Sequence, residues 1–131
     1  MNEKPLIELG REKILSLTAE TQFAPNGIVS RTLFRTETSR SVLFGFAAGQ
    51  ELTEHTSTRH ALVQILSGEC EFELDGQVHL LKANDMLYMP PNLPHAVKAT
   101  KQFSMLLTLS QSSPKIPANL APSLSLALND N

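Results

Sequence analysis

Two histidines carry most of the chemistry that this sequence offers. His55 lies just ahead of a short apolar run that ends at Gly68, and His95 directly follows the proline-rich residues 90–94. Neutral imidazole is a common metal ligand and also a hydrogen-bonding group for polar ligands. If the fold brings the two side chains together, they form a site for a metal ion or a small molecule.

The segments around both histidines are typical of short strands. Residues 61–66 form an apolar run too short for a typical helix, and we interpret it as a strand buried on both faces. Residues 69–74 alternate, with glutamates predicted to face out and apolar side chains in. Asp75-Gly76 predicts a type I′ hairpin turn. Further strands are predicted at residues 27–35, 41–46, 77–82, 86–89, 96–98 and 103–109.

Several side chains on these strands are expected to be structural. Cys70 alternates with apolar neighbours and is predicted to be a buried, inert thiol. Gln64 is predicted to hydrogen-bond backbone inside the sheet, and Met86, Met89 and Met105 are predicted to fill gaps in the core. A tight hairpin pairs Phe72 with His79 and turns this histidine inward, whereas a one-residue bulge turns it outward.

The chain divides into three segments. Residues 1–26 form an N-terminal segment, with a short strand or a weak helix, which could cross to a partner's sheet edge. Residues 27–110 carry the predicted strands. Residues 111–131 are rich in proline and serine, and we expect an extended or disordered tail, unless its leucines dock on a neighbour.

Size and composition exclude several classes of function. The 131 residues suffice for one domain, and a net charge of −2 gives no reason to expect nucleic-acid or anionic-membrane binding. We interpret the cluster of Arg31, Arg35 and Arg40 as a solvated face. A single cysteine excludes an internal disulfide and suits the cytoplasm. No membrane span or signal peptide is recognisable, so we expect a soluble cytoplasmic protein.

Many short antiparallel strands with little helix require a closed or double-layered sheet. The order of the turn residues then resembles the cupin superfamily, in its small single-domain, conserved-barrel form. The resemblance covers about residues 40–110. It implies an all-β double-stranded β-helix, a jelly-roll barrel whose wide end holds a metal or a small ligand.

The first motif usual in that family is Gly-x5-His-x-His-x3-Glu-x6-Gly. Gly49, His55 and Gly68 match it without a gap, but Ser57 stands for the second histidine and Ala61 for the glutamate. In the second motif, Pro90 and His95 match, and asparagines replace two glycines. The resemblance therefore implies two of the four usual metal ligands, namely the two histidines.

Two imidazoles bind a divalent metal weakly unless another side chain joins them. His60 is the third candidate ligand, although strict alternation points it away from the face of Ala61. Glu51 has the same parity as His55 and could supply a carboxylate from an extended strand, whereas Glu54 has the wrong parity. The cofactor expected from the resemblance is a divalent metal, Zn, Ni, Fe or Mn.

Two functions remain open, beside a third alternative, an assembly domain with a vestigial site. The first is a metal-dependent cupin enzyme, an isomerase or a dioxygenase. The second is a barrel that binds a small molecule or a loosely held metal without catalysis, which the missing ligands and the lack of a general acid–base pair favour. Because cupins often pair through their sheets, we also expect a homodimer.

Overall fold

A computed structural model describes residues 4–112 of the chain. This part contains one short helix, α1, and nine strands, numbered in chain order. Their bounds are α1 (Leu17–Glu20), β1 (Ile28–Arg35), β2 (Ser39–Phe46), β3 (Glu51–His55), β4 (His60–Ser67), β5 (Glu69–Leu74), β6 (Gln77–Lys82), β7 (Met86–Met89), β8 (His95–Lys98) and β9 (Phe103–Ser110).

The strands form two sheets that face each other. Sheet A has the order β1-β2-β9-β4-β7 and sheet B the order β3-β8-β5-β6. Short connections after β2, β4, β6 and β8 each join a strand of sheet A to one of sheet B. As a result β2 faces β3, β9 faces β8, β4 faces β5 and β7 faces β6. This arrangement confirms the predicted all-β double-stranded β-helix.

One end of the barrel, which we call the mouth, gathers the segments that matter for a site. β3, β5, β7 and β9 end there, whereas β2, β4, β6 and β8 begin there. Residues 56–59 and 90–94 join the two sheets across this end. The backbone N–H of Asn92 donates to the carbonyl oxygen of Ser57 over 2.6 Å, which ties these two connections together.

Aromatic side chains from both sheets fill the barrel. Phe46 of β2 and Phe103 of β9 are fully buried, and their rings stack with centroids 4.6 Å apart. Phe72 of β5 reaches the same cluster from sheet B and is 2% exposed. Burial of each phenylalanine stabilises the fold by about 1.5–3 kcal/mol, so these three side chains hold the sheets together.

Two turns depend on their glycines. Asp75 and Gly76 both have positive φ, 48° and 86°, as a type I′ turn requires, which confirms the predicted hairpin. Gly68 also has positive φ, 76°, and a Cβ there would overlap the carbonyl oxygen of Gln102. Gly68 therefore allows β4 to pass directly into β5 beside the connection between β8 and β9.

Some predicted burials are wrong. β4 is buried on one face only, because Leu62 is 41% exposed and Gln64 also lies on the exposed face, outside the core. Met86 is 61% exposed and fills no core gap, whereas Met89 and Met105 are buried in the core as predicted. His79 does pair with Phe72, as the tight turn predicts. It is exposed, however, because β6 is an edge strand of sheet B.

The N-terminal segment lies along sheet A. The N–H groups of Leu6 and Ile7 donate to the carbonyl oxygens of Thr32 and Leu33, at 3.1 and 2.8 Å, beside β1. Exchange of this segment with a partner stays a prediction. The predicted tail lies outside the described residues from position 113 onward. No helix within residues 4–112 has the length and apolar character of a membrane span.

Candidate functional site

The structure brings His55 and His95 together at the mouth. The two residues are register partners on β3 and β8, and their ring centroids lie 4.2 Å apart with a 59° tilt. His95 is in turn the register partner of Leu74, whose side chain packs on the core. Because paired residues point to the same side of a sheet, both imidazoles lie on the inner face of sheet B.

Each imidazole is oriented by its own backbone. Nδ1 of His55 lies 2.8 Å from the carbonyl oxygen of Thr53, and Nδ1 of His95 lies 2.8 Å from that of Leu93. A carbonyl oxygen only accepts, so the proton of each neutral ring lies on Nδ1. Both Nε2 atoms are then left with a lone pair, which can accept a hydrogen bond or bind a metal.

The proline-rich segment fixes the position of His95. Asn92 has φ of 69°, in the left-handed region, and its N–H is held by Ser57. Two residues on, the carbonyl oxygen of Pro94 accepts from the N–H of Asp75 over 2.9 Å. These two hydrogen bonds attach the segment to residues 56–59 and to the β5–β6 hairpin. The backbone that leads into β8 is therefore held in place, and with it the position of His95.

His60 does not join the pair. It begins β4 one residue before Ala61, and alternation places it on the outer face of sheet A. There its Nδ1 lies 2.7 Å from the hydroxyl oxygen of Tyr88, and the rings stack with centroids 5.9 Å apart. The irregular segment that would have turned this histidine inward does not occur, because β4 is already in regular register with β9 at His60.

Glu51 also lies outside the mouth, and here the parity argument is wrong. The β3–β8 register shifts between Leu52 and His55, so three residues of β3 span two of β8. Both Leu52 and His55 therefore face inward despite their odd spacing. Glu51, opposite Lys98, lies on the outer face and cannot supply a carboxylate to the imidazoles.

The donor set at the mouth does not fit a complete metal site. Ala61 lies on the inner face and is 4% exposed, where the family's glutamate would stand. Within residues 4–112 there is no group of three His, Cys, Asp or Glu side chains that could hold a metal ion. Two Nε2 atoms fall short of a zinc site with three protein ligands or of a site with two histidines and a carboxylate.

Arg40 was predicted to belong to a solvated face, and this prediction is wrong, because the residue is half-buried and its Nε is buried at the mouth. Its register partner on β9 is Leu109, which packs on the core, so Arg40 lies on the inner face of β2 at the mouth. The alternating Val42, Phe44 and Phe46 continue that face along β2. Extending the predicted strand back by one residue, from Ser41, would have revealed this placement.

Cys70 is buried, as predicted. Burial, with a smaller contribution from the negative charge of Asp85, raises the pKa of its thiol to about 12. The thiol is therefore neutral at physiological pH and lacks the nucleophilic thiolate. Cys70 takes no part in the site.

A groove of about 300 Å³ lies on the outer face of sheet B, away from the imidazoles. Its lining includes the side chains of Glu71, Glu73 and Lys98, together with Ala96. The groove lies on the outer face of sheet B, whereas the two imidazoles lie on its inner face. The groove is therefore separate from the histidine pair.

Comparison with known proteins agrees with this architecture. The model of the cupin domain family matches residues 42–109. A protein of unknown function from Streptococcus pyogenes is 32% identical, over 87% of this chain and 98% of that one, with a TM-score of 0.74. A cupin superfamily protein from Desulfitobacterium hafniense is 28% identical, over 83% of this chain and all (100%) of that one, with a TM-score of 0.74.

A protein with a double-stranded β-helix domain from Klebsiella pneumoniae is 20% identical, over 80% of this chain and 95% of that one. Its TM-score is 0.69, and at this identity the likeness concerns the fold alone. The comparison with curated proteins gave no match.

Proposed function

Because this chain belongs to the cupin family and pairs two imidazoles at its barrel mouth, we propose that it is a non-catalytic binding protein for a small molecule. The observation that carries the proposal is the 4.2 Å separation of the His55 and His95 rings on the inner face of sheet B. Two Nε2 lone pairs side by side form a fixed acceptor pair, suited to hydroxyl or amine groups of one ligand.

The surroundings of the pair favour binding over catalysis. The thiol of Cys70 is buried and neutral, and Ala61 replaces the carboxylate that would accompany the histidines. Any general acid–base step would have to use the imidazoles themselves, because no carboxylate accompanies them on the described inner face of the mouth. The alternative function, a metal-dependent isomerase or dioxygenase, requires a metal that two imidazoles hold weakly.

The proposal is tested on protein purified without chelator or nickel resin. Native mass spectrometry is expected to show an organic adduct that is absent from a His55→Ala, His95→Ala double variant. His60→Ala is the matched control, because it removes an imidazole from the outer face and should keep the adduct. Elemental analysis of the same samples detects the alternative: one metal per chain, lost in the double variant, would overturn the binding proposal in favour of the enzyme.

We also propose that the chain forms a homodimer through the outer face of sheet A. Leu62, Met86 and Tyr88, on the neighbouring strands β4 and β7, are 41%, 61% and 51% exposed. Apolar surface of this kind is stabilised by burial against a second copy. Light scattering at micromolar protein should give a dimer mass, and Leu62→Lys should lower it toward the monomer. A monomeric mass for the unaltered chain would refute the proposal.

A further inference from the structure

Arg40 and the histidine pair occupy facing positions at the mouth. Arg40 lies near the start of β2, on the inner face, and His55 is the last residue of β3. These two strands face each other across the barrel, because the connection at its other end joins them directly. Facing sheets lie about 10 Å apart, so an arginine side chain extends over much of the gap.

The guanidinium of Arg40 has one buried N–H, at Nε, that lacks a partner within residues 4–112. The register partner of Arg40 on β1 is Arg35, so two like charges stand directly opposite each other. The ion pairs within residues 4–112 are Arg31–Glu20, Lys82–Asp85 and Lys101–Glu69. None of them involves Arg35 or Arg40.

No carboxylate lies on the inner face of the strands at the mouth within the described chain. The inner-face residues there on β4, β5, β7 and β9 are Ala61, Leu74, Met89 and Leu109. All four are apolar. An arginine with a buried, unpaired N–H beside apolar side chains is suited to an oxyanion, since a carboxylate or a phosphate matches the planar fork of the guanidinium.

We propose that the ligand of this barrel is a small hydroxylated anion whose carboxylate or phosphate group binds Arg40. The hydroxyl groups of the same molecule donate to Nε2 of His55 and His95. The inference rests on the proposed function and names its ligand class, namely a hydroxy acid or a sugar phosphate.

The test measures binding by isothermal titration calorimetry. The probes are malate, which has carboxylates and a hydroxyl, succinate, which lacks the hydroxyl, and inorganic phosphate, all at ionic strength matched with sodium chloride. Arg40→Gln is compared with Arg11→Gln, an exposed arginine of the N-terminal segment. We expect saturable malate binding, weakened at least about tenfold by Arg40→Gln and unchanged by Arg11→Gln.

Two further readouts guard against misfolding and identify the anion. Arg40→Lys retains the charge but lacks the fork, so malate binding should be intermediate. Without ligand, Arg40→Gln should melt no lower than the unaltered chain, because it removes an unpaired buried N–H. Phosphate that binds more tightly than malate would assign the anion to a phosphate, and the reverse order to a carboxylate; either order supports the inference.

The outcomes separate this inference from the proposed function. The inference is overturned if malate and phosphate bind no more tightly than chloride, or if Arg40→Gln leaves their binding intact. If an organic adduct still depends on His55 and His95, the proposed function survives that failure. If malate binding depends on Arg40 but is unaffected by His55→Ala, His95→Ala, the anion site stands and the histidine-based function falls. If the double variant no longer binds malate more tightly than succinate, the result supports both the inference and the proposed function.

Discussion

Replacement of Ala61 by glutamate should convert the mouth into a metal site. Ala61 is an inner-face residue at the start of β4, at the position where the cupin motif carries its glutamate. The added carboxylate would join two imidazoles whose Nδ1 atoms are already held by backbone carbonyl oxygens. Two histidines and one carboxylate are a sufficient ligand set for Zn²⁺ with an open position.

The expected magnitudes follow from the burial of this position. Ala61 is only 4% exposed, so a larger side chain there should cost about 1–3 kcal/mol of stability without metal. For a domain of this size, that corresponds to a fall in Tm of about 4–12 °C. Zn²⁺ at a concentration of about 100 times its Kd should return about 2.7 kcal/mol, which offsets most of the loss.

The assay is thermal unfolding with and without Zn²⁺, together with elemental analysis after desalting. Leu62→Glu is the matched control, because it places the same carboxylate one residue later on the outer face, where the side chain is 41% exposed. Ala61→Glu should gain a Zn²⁺-dependent rise in Tm that disappears when His95→Ala is added. An equal rise in Leu62→Glu, or none in Ala61→Glu, would refute the placement of these residues together at the mouth.

Three further predictions concern the barrel itself. Cys70 should react with thiol reagents only on unfolding. Because its pKa is raised in the folded chain, the free energy of unfolding should fall progressively as pH rises from 9 toward 12. Urea titrations against a Cys70→Ala control would show this. Gly68→Ala should lower Tm more than Gly49→Ala, since both have positive φ but only Gly68 would clash with backbone. Phe103→Ala should cost about 3–5 kcal/mol in chemical denaturation, and a loss below 1 kcal/mol would contradict its role in the core.

The parts of the fold that sequence predicts are those set by local chemistry. Asp75-Gly76 specifies its turn because both residues need positive φ, and alternation over residues 69–74 fixes which side chains face inward. The pairing of His55 with His95 followed from the family motifs, since these positions are far apart in the chain. Local patterns therefore predict elements well, and the resemblance supplies what joins them.

The failures arise where distant contacts decide a local feature. Parity with His55 predicts that Glu51 faces inward, but a bulge between Leu52 and His55, formed against β8, reverses its face. Gln64 lies in a continuous apolar run, which cannot distinguish one buried face from two. Arg40 falls outside the predicted strand because that strand begins at Ser41, two residues after the observed start at Ser39. Strand ends and bulges depend on partner strands and are not specified locally.

The charge of the mouth decides between the two ligand classes that its histidines would accept. A bound divalent cation would sit near Arg40 with no inner-face carboxylate to compensate it, whereas an anion would neutralise the guanidinium. A carboxylate at Ala61 reverses this balance, because it both completes the metal ligands and pairs with Arg40 across Leu109, the residue between them in the sheet. Ala61→Glu should therefore lose malate binding as it gains Zn²⁺, and a variant that binds both ligands independently would show that they occupy different places.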